Sequence, residues 1–300
     1  MKRTIVLAAA LLAAGTAQAA PASAPKDDAA DWRTVDPGNL VLIDTKYGQT
    51  AVELAPAFAP RHVERMKALI RAHFYDGLTF YRVIDGFVAQ GGAGEDTAAT
   101  ANKPKDPVKN EAWPKLKAEF EVPIPKGQAF APLGSPDLFA RQLGHVDGFA
   151  VGRDPKARTE WIIQCPGAFA FARDTDPDTA TTEFYITIGQ APRRLDRNLT
   201  AFGRVVWGQQ YLQKLERGDP AVDAGVIADK ARQDVITSIR LASDLPAGQR
   251  PSYQVMRMGT KAFAAWKENR RNPAPDFYKR HPTHILDICL SPVPSRRTPE

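Results

Sequence analysis

Arg82 has the clearest chemical opportunity in this chain. It stands eight residues before Gln90 in the run FYRVIDGFVAQGG, residues 80–92. Val83, Phe87 and Val88 lie between them, around an Asp85-Gly86 pair. Asp-Gly between two short apolar runs favours a tight hairpin, because both residues tolerate the positive φ that the turn demands. A hairpin brings the Arg82 guanidinium and the Gln90 carboxamide together at the rim of an apolar dish floored by Phe87. A fixed cation beside such a dish suits a ligand that is apolar and ring-shaped yet carries a polar amide. A prolyl peptide bond has that form.

Rotation about a peptide C–N bond is resisted by ~18–20 kcal/mol, because the nitrogen lone pair is delocalised. At an X-Pro bond the two isomers are close in energy but exchange slowly. A catalyst of that rotation attacks nothing. It binds the twisted state, with the lone pair localised on nitrogen, more tightly than either planar state. A preorganised cation near that nitrogen does this, while an apolar socket holds the ring. No metal, nucleotide, other cofactor or covalent intermediate is required.

Two strands at residues 79–83 and 87–91 must present these groups. Upstream, 40–45 is an apolar run with β-branched residues, Tyr47-Gly48 turns it, and 49–54 returns. Pro60 opens a helix in which Val63, Met66, Leu69, Ile70 and Phe74 fall at helical spacing, and Gly77 ends that unit. Residues 167–172, 184–188, 201–206 and 234–241 supply four more strands. Residues 208–216 read as a second helix with Tyr211, Leu212 and Leu215 on its apolar side. The total is eight strands and two helices. The fold expected is mainly β: a closed eight-stranded antiparallel β-barrel capped by two α-helices.

Three stretches resemble the cyclophilin-type peptidyl-prolyl cis/trans isomerases, in that family's order. They are FYDGLTFYRVIDGFVAQGG (74–92), FARDTDPDTATTEFYITIG (171–189) and LDRNLTAFGRVVWG (195–208). The resemblance covers roughly residues 39–92 and 166–241, and between them it survives only in fragments such as Glu119-Phe120. It independently implies a barrel with two capping helices. It also implies that Arg82 is the catalytic arginine, that Phe87, Val88, Tyr185 and Leu195 line a proline pocket, and that Gln90 holds the substrate backbone. Ala172 and Arg173 match the strand that pairs with the residue preceding proline. Without it, Arg82 reads as a solvated strand residue and Phe87, Tyr185 and Leu195 as ordinary core.

Four positions depart from the best-known members. Glu183 stands where Gln is common, and its carboxylate can pair with Arg82, dulling the field there, or with Arg173. Arg194 replaces a Trp that helps bind cyclosporin, so weak cyclosporin binding is expected. Leu199 replaces a His, and Val88 replaces a Met, stiffening the pocket wall. The rival from another class is a non-catalytic proline-peptide-binding chaperone or scaffold module. A third reading makes residues 245–300 a docking surface for an envelope partner.

Residues 1–19 combine Met-Lys-Arg, an apolar run from Ile5 to Ala14 and Ala17-Gln18-Ala19, the pattern of a signal peptide cleaved after Ala19. The run is too short to span a bilayer. A periplasmic location follows as the expectation, with proline-containing segments of exported polypeptides as partners, no stable membrane insertion, and a monomeric state. Loss of Lys2 and Arg3 lowers the formal charge from +6 to +4. That mild excess reads as a solvated surface, and no nucleic-acid partner is expected.

Residues 20–38 are expected to be a flexible lead-in, 39–244 the barrel with an insertion at 93–165, and 245–300 an extension packed on the barrel. Within the insertion, 148–152 and 160–164 predict a small hairpin and the rest an ordered loop. In the extension, Thr260 caps a helix bearing Phe263 and Trp266, and 284–290 alternates like an edge strand. Cys165 and Cys289 form either a disulfide, given an oxidising compartment, or two buried thiols. Gly91 to Gly94 is no phosphate loop, since no Lys-Ser/Thr follows. The histidines are scattered without a metal set, and there is no G-x-S-x-G.

Overall fold

The computed structural model describes residues 28–94, 103–106, 112–273, 278–280 and 282–298. The expected signal peptide and its cleavage site, with residues 20–27, lie outside the described residues. The strands in chain order begin with β1 (Trp32–Thr34), β2 (Leu40–Thr45), β3 (Gly48–Leu54), β4 (Thr79–Val83) and β5 (Val88–Gly92). The insertion carries β6 (Val122–Pro123), β7 (Ala131–Pro132), β8 (Gln142–Val146), β9 (Phe149–Asp154) and β10 (Thr159–Ile162). Then come β11 (Ala168–Phe171), β12 (Phe184–Thr187), β13 (Ala201–Trp207), β14 (Asp234–Val235), β15 (Ser238–Leu241), β16 (Tyr253–Met256) and β17 (Ser295–Arg297).

The central sheet has nine strands in the order β14-β4-β5-β12-β11-β13-β3-β2-β15. The closed eight-stranded barrel is therefore corrected to a curled, open half-barrel. The reason lies in the last predicted strand. Its chain divides at Ile236 and Thr237: the Ile236 N–H donates to the Leu78 carbonyl (2.8 Å) and the Thr237 N–H to Asp44 (2.9 Å). The chain thus steps from the edge beside β4 to the edge beside β2. No ladder joins β14 to β15 among the described residues.

Alternation along the strands sorts side chains to two faces. Val41, Ile43, Val52, Leu54, Phe169, Phe171, Phe184, Ile186 and Phe202 fill the concave interior. Helix α1 (Pro60–Arg71) closes one end with Val63, Met66, Leu69 and Ile70 in the same cluster, and Pro60 supplies a first turn that needs no N–H. The second capping helix is a correction. α2 (Gln209–Leu212) is a single turn, after which Lys214 and Leu215 bond back three residues and tighten the chain.

The outer face is covered by the two additions. Leu40, Leu42, Ala51 and Val206 pack under Tyr253, Val255, Phe263 and Val293. This is why the β2 run is apolar on both faces rather than alternating with polar residues. The supposed lead-in contributes β1, which pairs with β16 (Arg33 opposite Val255), and β17 completes that sheet. Helix α3 (Lys261–Arg271) begins at Thr260, whose hydroxyl accepts the Phe263 N–H at 3.1 Å. Residues 284–290 form no strand: Asp287 accepts the N–H groups of Cys289 and Leu290 and makes a turn.

The insertion holds more order than a loop. The predicted hairpin is present as β9 and β10, within a five-stranded sheet ordered β6-β10-β9-β8-β7. Cys165 and Cys289 are joined by a disulfide that spans 124 residues (S–S 2.00 Å) and ties the C-terminal segment to the insertion's end. Among the described residues no helix is long and apolar enough to cross a membrane.

Candidate active site

Arg82 on β4 lies opposite Gln90 on β5, as the Asp85-Gly86 turn requires. Its Nη1 donates to Gln90 Oε1 at 3.1 Å, and its Nε to the Ala224 carbonyl at 2.8 Å. Asp223 and Ala224 reach out with φ of 46° and 50°, a left-handed turn that aims this carbonyl at the guanidinium. Both acceptors are neutral. Arg82 makes no ion pair among the described residues.

Gln90 in turn donates to the Tyr81 hydroxyl, and Tyr81 lies within electrostatic reach of Glu183. Glu183 also accepts the N–H groups of Ala93 and Gly94 at 3.1 Å each. Gly92 makes the approach possible: its φ is 141°, and a Cβ there would lie 2.2 Å from Glu183 Oε2. Burial pushes the Glu183 carboxyl above the usual glutamate range, against the pull of the Gly94 and Ala93 amides. Burial likewise raises Tyr81, with the Glu183 charge adding to it. The Glu183 carboxylate thus pairs with neither Arg82 nor Arg173 and reaches Arg82 only through Tyr81 and Gln90.

Arg173 is engaged by carbonyls: Asn198 at 2.9 Å, Asp174 at 2.6 Å and Thr175 at 3.0 Å. Arg82, Gln90, Ala172, Arg173 and Glu183 line one cleft of about 550 Å³. Phe87, Val88, Tyr185 and Leu199 gather in an adjoining apolar cluster, with Ala172 common to both. Val88 and Tyr185 are buried under Val146, Phe149, Val151 and Ile162 of the insertion. Of the predicted pocket residues in this cluster, Phe87, Leu199 and Ala172 are half-buried, and Val122 and Phe130 of the insertion stand half-buried with them. Leu195 stands apart from both groups, at a turn over Arg193–Leu195, and its carbonyl accepts the Leu199 N–H at 3.1 Å.

Sequence reasoning missed Tyr81, Gln164 and Ala224. Gln164 Oε1 accepts the Tyr185 hydroxyl at 3.1 Å, which fixes that ring from below. Tyr81 carried a signal, its place beside Arg82 on a strand next to β5. The Ala224 carbonyl carried none, since its role depends on a non-glycine left-handed turn. No group of three or more His, Cys, Asp or Glu gathers as a metal site among the described residues.

Comparison with known proteins gives the site its context. A probable peptidyl-prolyl cis-trans isomerase of Brucella suis is 28% identical over 195 residues, 64% of this chain and 78% of that one. A peptidyl-prolyl cis-trans isomerase of Acinetobacter baylyi is 25% identical over 209 residues, covering 68% and 86%. The crystal structure of a cyclophilin from Hirschia baltica superposes with a TM-score of 0.69 at 28% identity, covering 89% of this chain and 93% of that one. The family described as cyclophilin type peptidyl-prolyl cis-trans isomerase/CLD matches residues 40–240. This chain belongs to the cyclophilin-type peptidyl-prolyl cis/trans isomerases.

Proposed function

We propose that this isomerase turns prolyl bonds in exported polypeptides, with Arg82 as the catalytic residue. The observation that carries the reading is the Arg82 guanidinium, held at a cleft by two neutral oxygens and no carboxylate. A cation so fixed keeps its field and needs no reorganisation as the imide twists. Phe87 and Leu199 hold the proline ring, with Val88 and Tyr185 as the buried floor, and Leu195, apart from that cluster, acts only through the turn whose carbonyl accepts the Leu199 N–H. Gln90 steadies the client backbone. The Ala172 N–H is committed to the Glu183 carbonyl at 2.7 Å, so pairing with the residue before proline falls to the backbone at Arg173. The signal-like leader and the disulfide together support export to the periplasm, an oxidising compartment.

The test is NMR exchange on an Ala-Pro test peptide. Arg82→Ala is expected to lower kcat/KM by about 100-fold or more, with Arg82→Lys retaining part of the rate. Equal rates in wild type and Arg82→Ala end the catalytic assignment. Burial of Tyr185 and Val88 leaves a shallow dish, and that observation favours the second reading, a binding module that does not turn its ligand. Suppression of client aggregation without any prolyl exchange selects it.

A further inference from the structure

A second hollow, of about 680 Å³, lies between the insertion and the turn that carries Leu195. Phe120, Phe139, Arg194, Arg197 and Asn198 form part of its lining. Its lip is the loop at residues 135–141. There Leu138 is 96% exposed and its neighbour Phe139 is 47% exposed. Two large apolar side chains thus stand side by side in water, where exposed apolar residues are ordinarily scattered singly, and the Phe139 ring rests against the Arg193 guanidinium at 5.1 Å.

The loop that displays them is firmly held. Asp137 accepts the N–H groups of Phe139 and Ala140 at 2.8 Å each. Its two oxygens receive Nη1 and Nη2 of Arg193 at 2.8 and 2.9 Å. Arg193 is buried, and its Nε donates to Asp196 at 2.7 Å. Asp196 accepts the Gln164 N–H at 2.8 Å, and Gln164 accepts the Tyr185 hydroxyl. Continuous polar bonds therefore run from the pocket floor at Tyr185, past the turn bearing Leu195, to the loop bearing Leu138 and Phe139. Two-pronged arginine–carboxylate pairing fixes orientation as well as position.

We propose that Leu138 and Phe139 form a ledge that takes an apolar side chain, aliphatic or aromatic, of the same client polypeptide whose prolyl bond sits at Arg82. The inference rests on the isomerase reading and names a feature of its substrates. The occupant is the client because the hollow adjoins the prolyl cleft: Arg173 of that cleft donates to the Asn198 carbonyl at 2.9 Å and its guanidinium stands 5.7 Å from the Phe120 ring centre, and Asn198 and Phe120 both line the hollow. It is apolar because the hollow's charges are largely matched: Asp137 and Asp196 answer Arg193, and Glu121 pairs with Arg197 at 2.7 Å. Unfolded segments expose apolar residues that folded proteins bury, so the ledge directs the enzyme to chains that are still folding.

Full-length wild type is compared with Leu138→Asp and with the Leu138→Ser, Phe139→Ser double variant. Leu138 is almost wholly exposed, so its replacement leaves the core intact. Fluorescence polarisation reads the binding of three proline peptides, flanked on both sides by alanine, by leucine and phenylalanine, or by aspartate. NMR exchange reads their turnover. Wild type is expected to bind the apolar-flanked peptide about tenfold more tightly than the alanine-flanked one, and both variants to lose that preference. Equal affinity in wild type, a preference kept by both variants, or an aspartate-flanked peptide bound as tightly overturns the ledge. A ledge-dependent preference without turnover of any peptide upholds it and removes the isomerase reading instead.

Discussion

Glu183 shows how one side chain can sit beside a cation without cancelling it. Its oxygens are taken by the Ala93 and Gly94 amides, and burial raises its carboxyl. A carboxyl with a raised folded pKa holds its proton to higher pH in the folded state. Its contribution to stability is largest below the ordinary glutamate value of about 4.3 and declines as pH rises toward the folded value. In Glu183→Gln that decline should vanish, removing at most about 1.4 kcal/mol per pH unit from the slope of urea-derived stability in this window. An unchanged slope would show that Glu183 titrates as it does in water. At this scale the sequence carried the types and spacing of the site well: Arg82 does face Gln90 across a turn. It could not say where Glu183 points, because that choice depends on a glycine φ and two amides at the start of the insertion. The same limit hid the Ala224 carbonyl.

Element by element, short turns govern the site more than long helices do. The end of β12 lies against the Asp85-Gly86 turn: Ile188 N–H donates to the Phe87 carbonyl and Gln190 N–H to Gly86, both at 2.9 Å. A Cβ on Gly189 would fall 2.1 Å from the Gly86 carbonyl carbon, which is backbone and cannot rotate away. Gly189→Ala should therefore cost about 1–3 kcal/mol and lower prolyl exchange by displacing Phe87. A urea midpoint equal to wild type would contradict that packing. Legibility here followed local chemistry. Asp85-Gly86, where only the glycine is left-handed (φ 67°), announced β4 and β5, and Asp147-Gly148, left-handed at both residues with φ of 47° and 86°, joins β8 to β9. That second signal went unread, because its flanking runs lay in a stretch punctuated by proline and glycine. The divided strand at Ile236 was illegible for another reason: tertiary bonds to Leu78 and Asp44, rather than propensity, divide it, while α2 stops where Lys214 and Leu215 bond back three residues.

For the whole molecule, the additions are structural walls as well as surfaces. Removing residues 245–298 would uncover Leu40, Leu42, Ala51 and Val206, and the truncated chain is expected to aggregate rather than remain a working half-barrel, as light scattering would show. Replacing Cys165 and Cys289 by Ser opens a 124-residue loop and should lower stability by up to about 4–5 kcal/mol in the chain-entropy account. Equal denaturation midpoints with and without reductant would refute that contribution. An extension too poor in apolar residues for its own core was legible from composition. Its partner strand was not, since an Ala- and Pro-rich start gives no hint that Trp32–Thr34 waits for Tyr253–Met256. That pairing has a temporal consequence. A polypeptide delivered from its amino terminus holds its first strand without a mate until Tyr253–Met256 arrive, and β2, though paired at once with β3, waits until Ser238–Leu241 for β15. Neighbouring hairpins such as β2-β3 and β8-β9 can close as they emerge, but the outer sheet and the second edge of β2 close only after the whole insertion has been made.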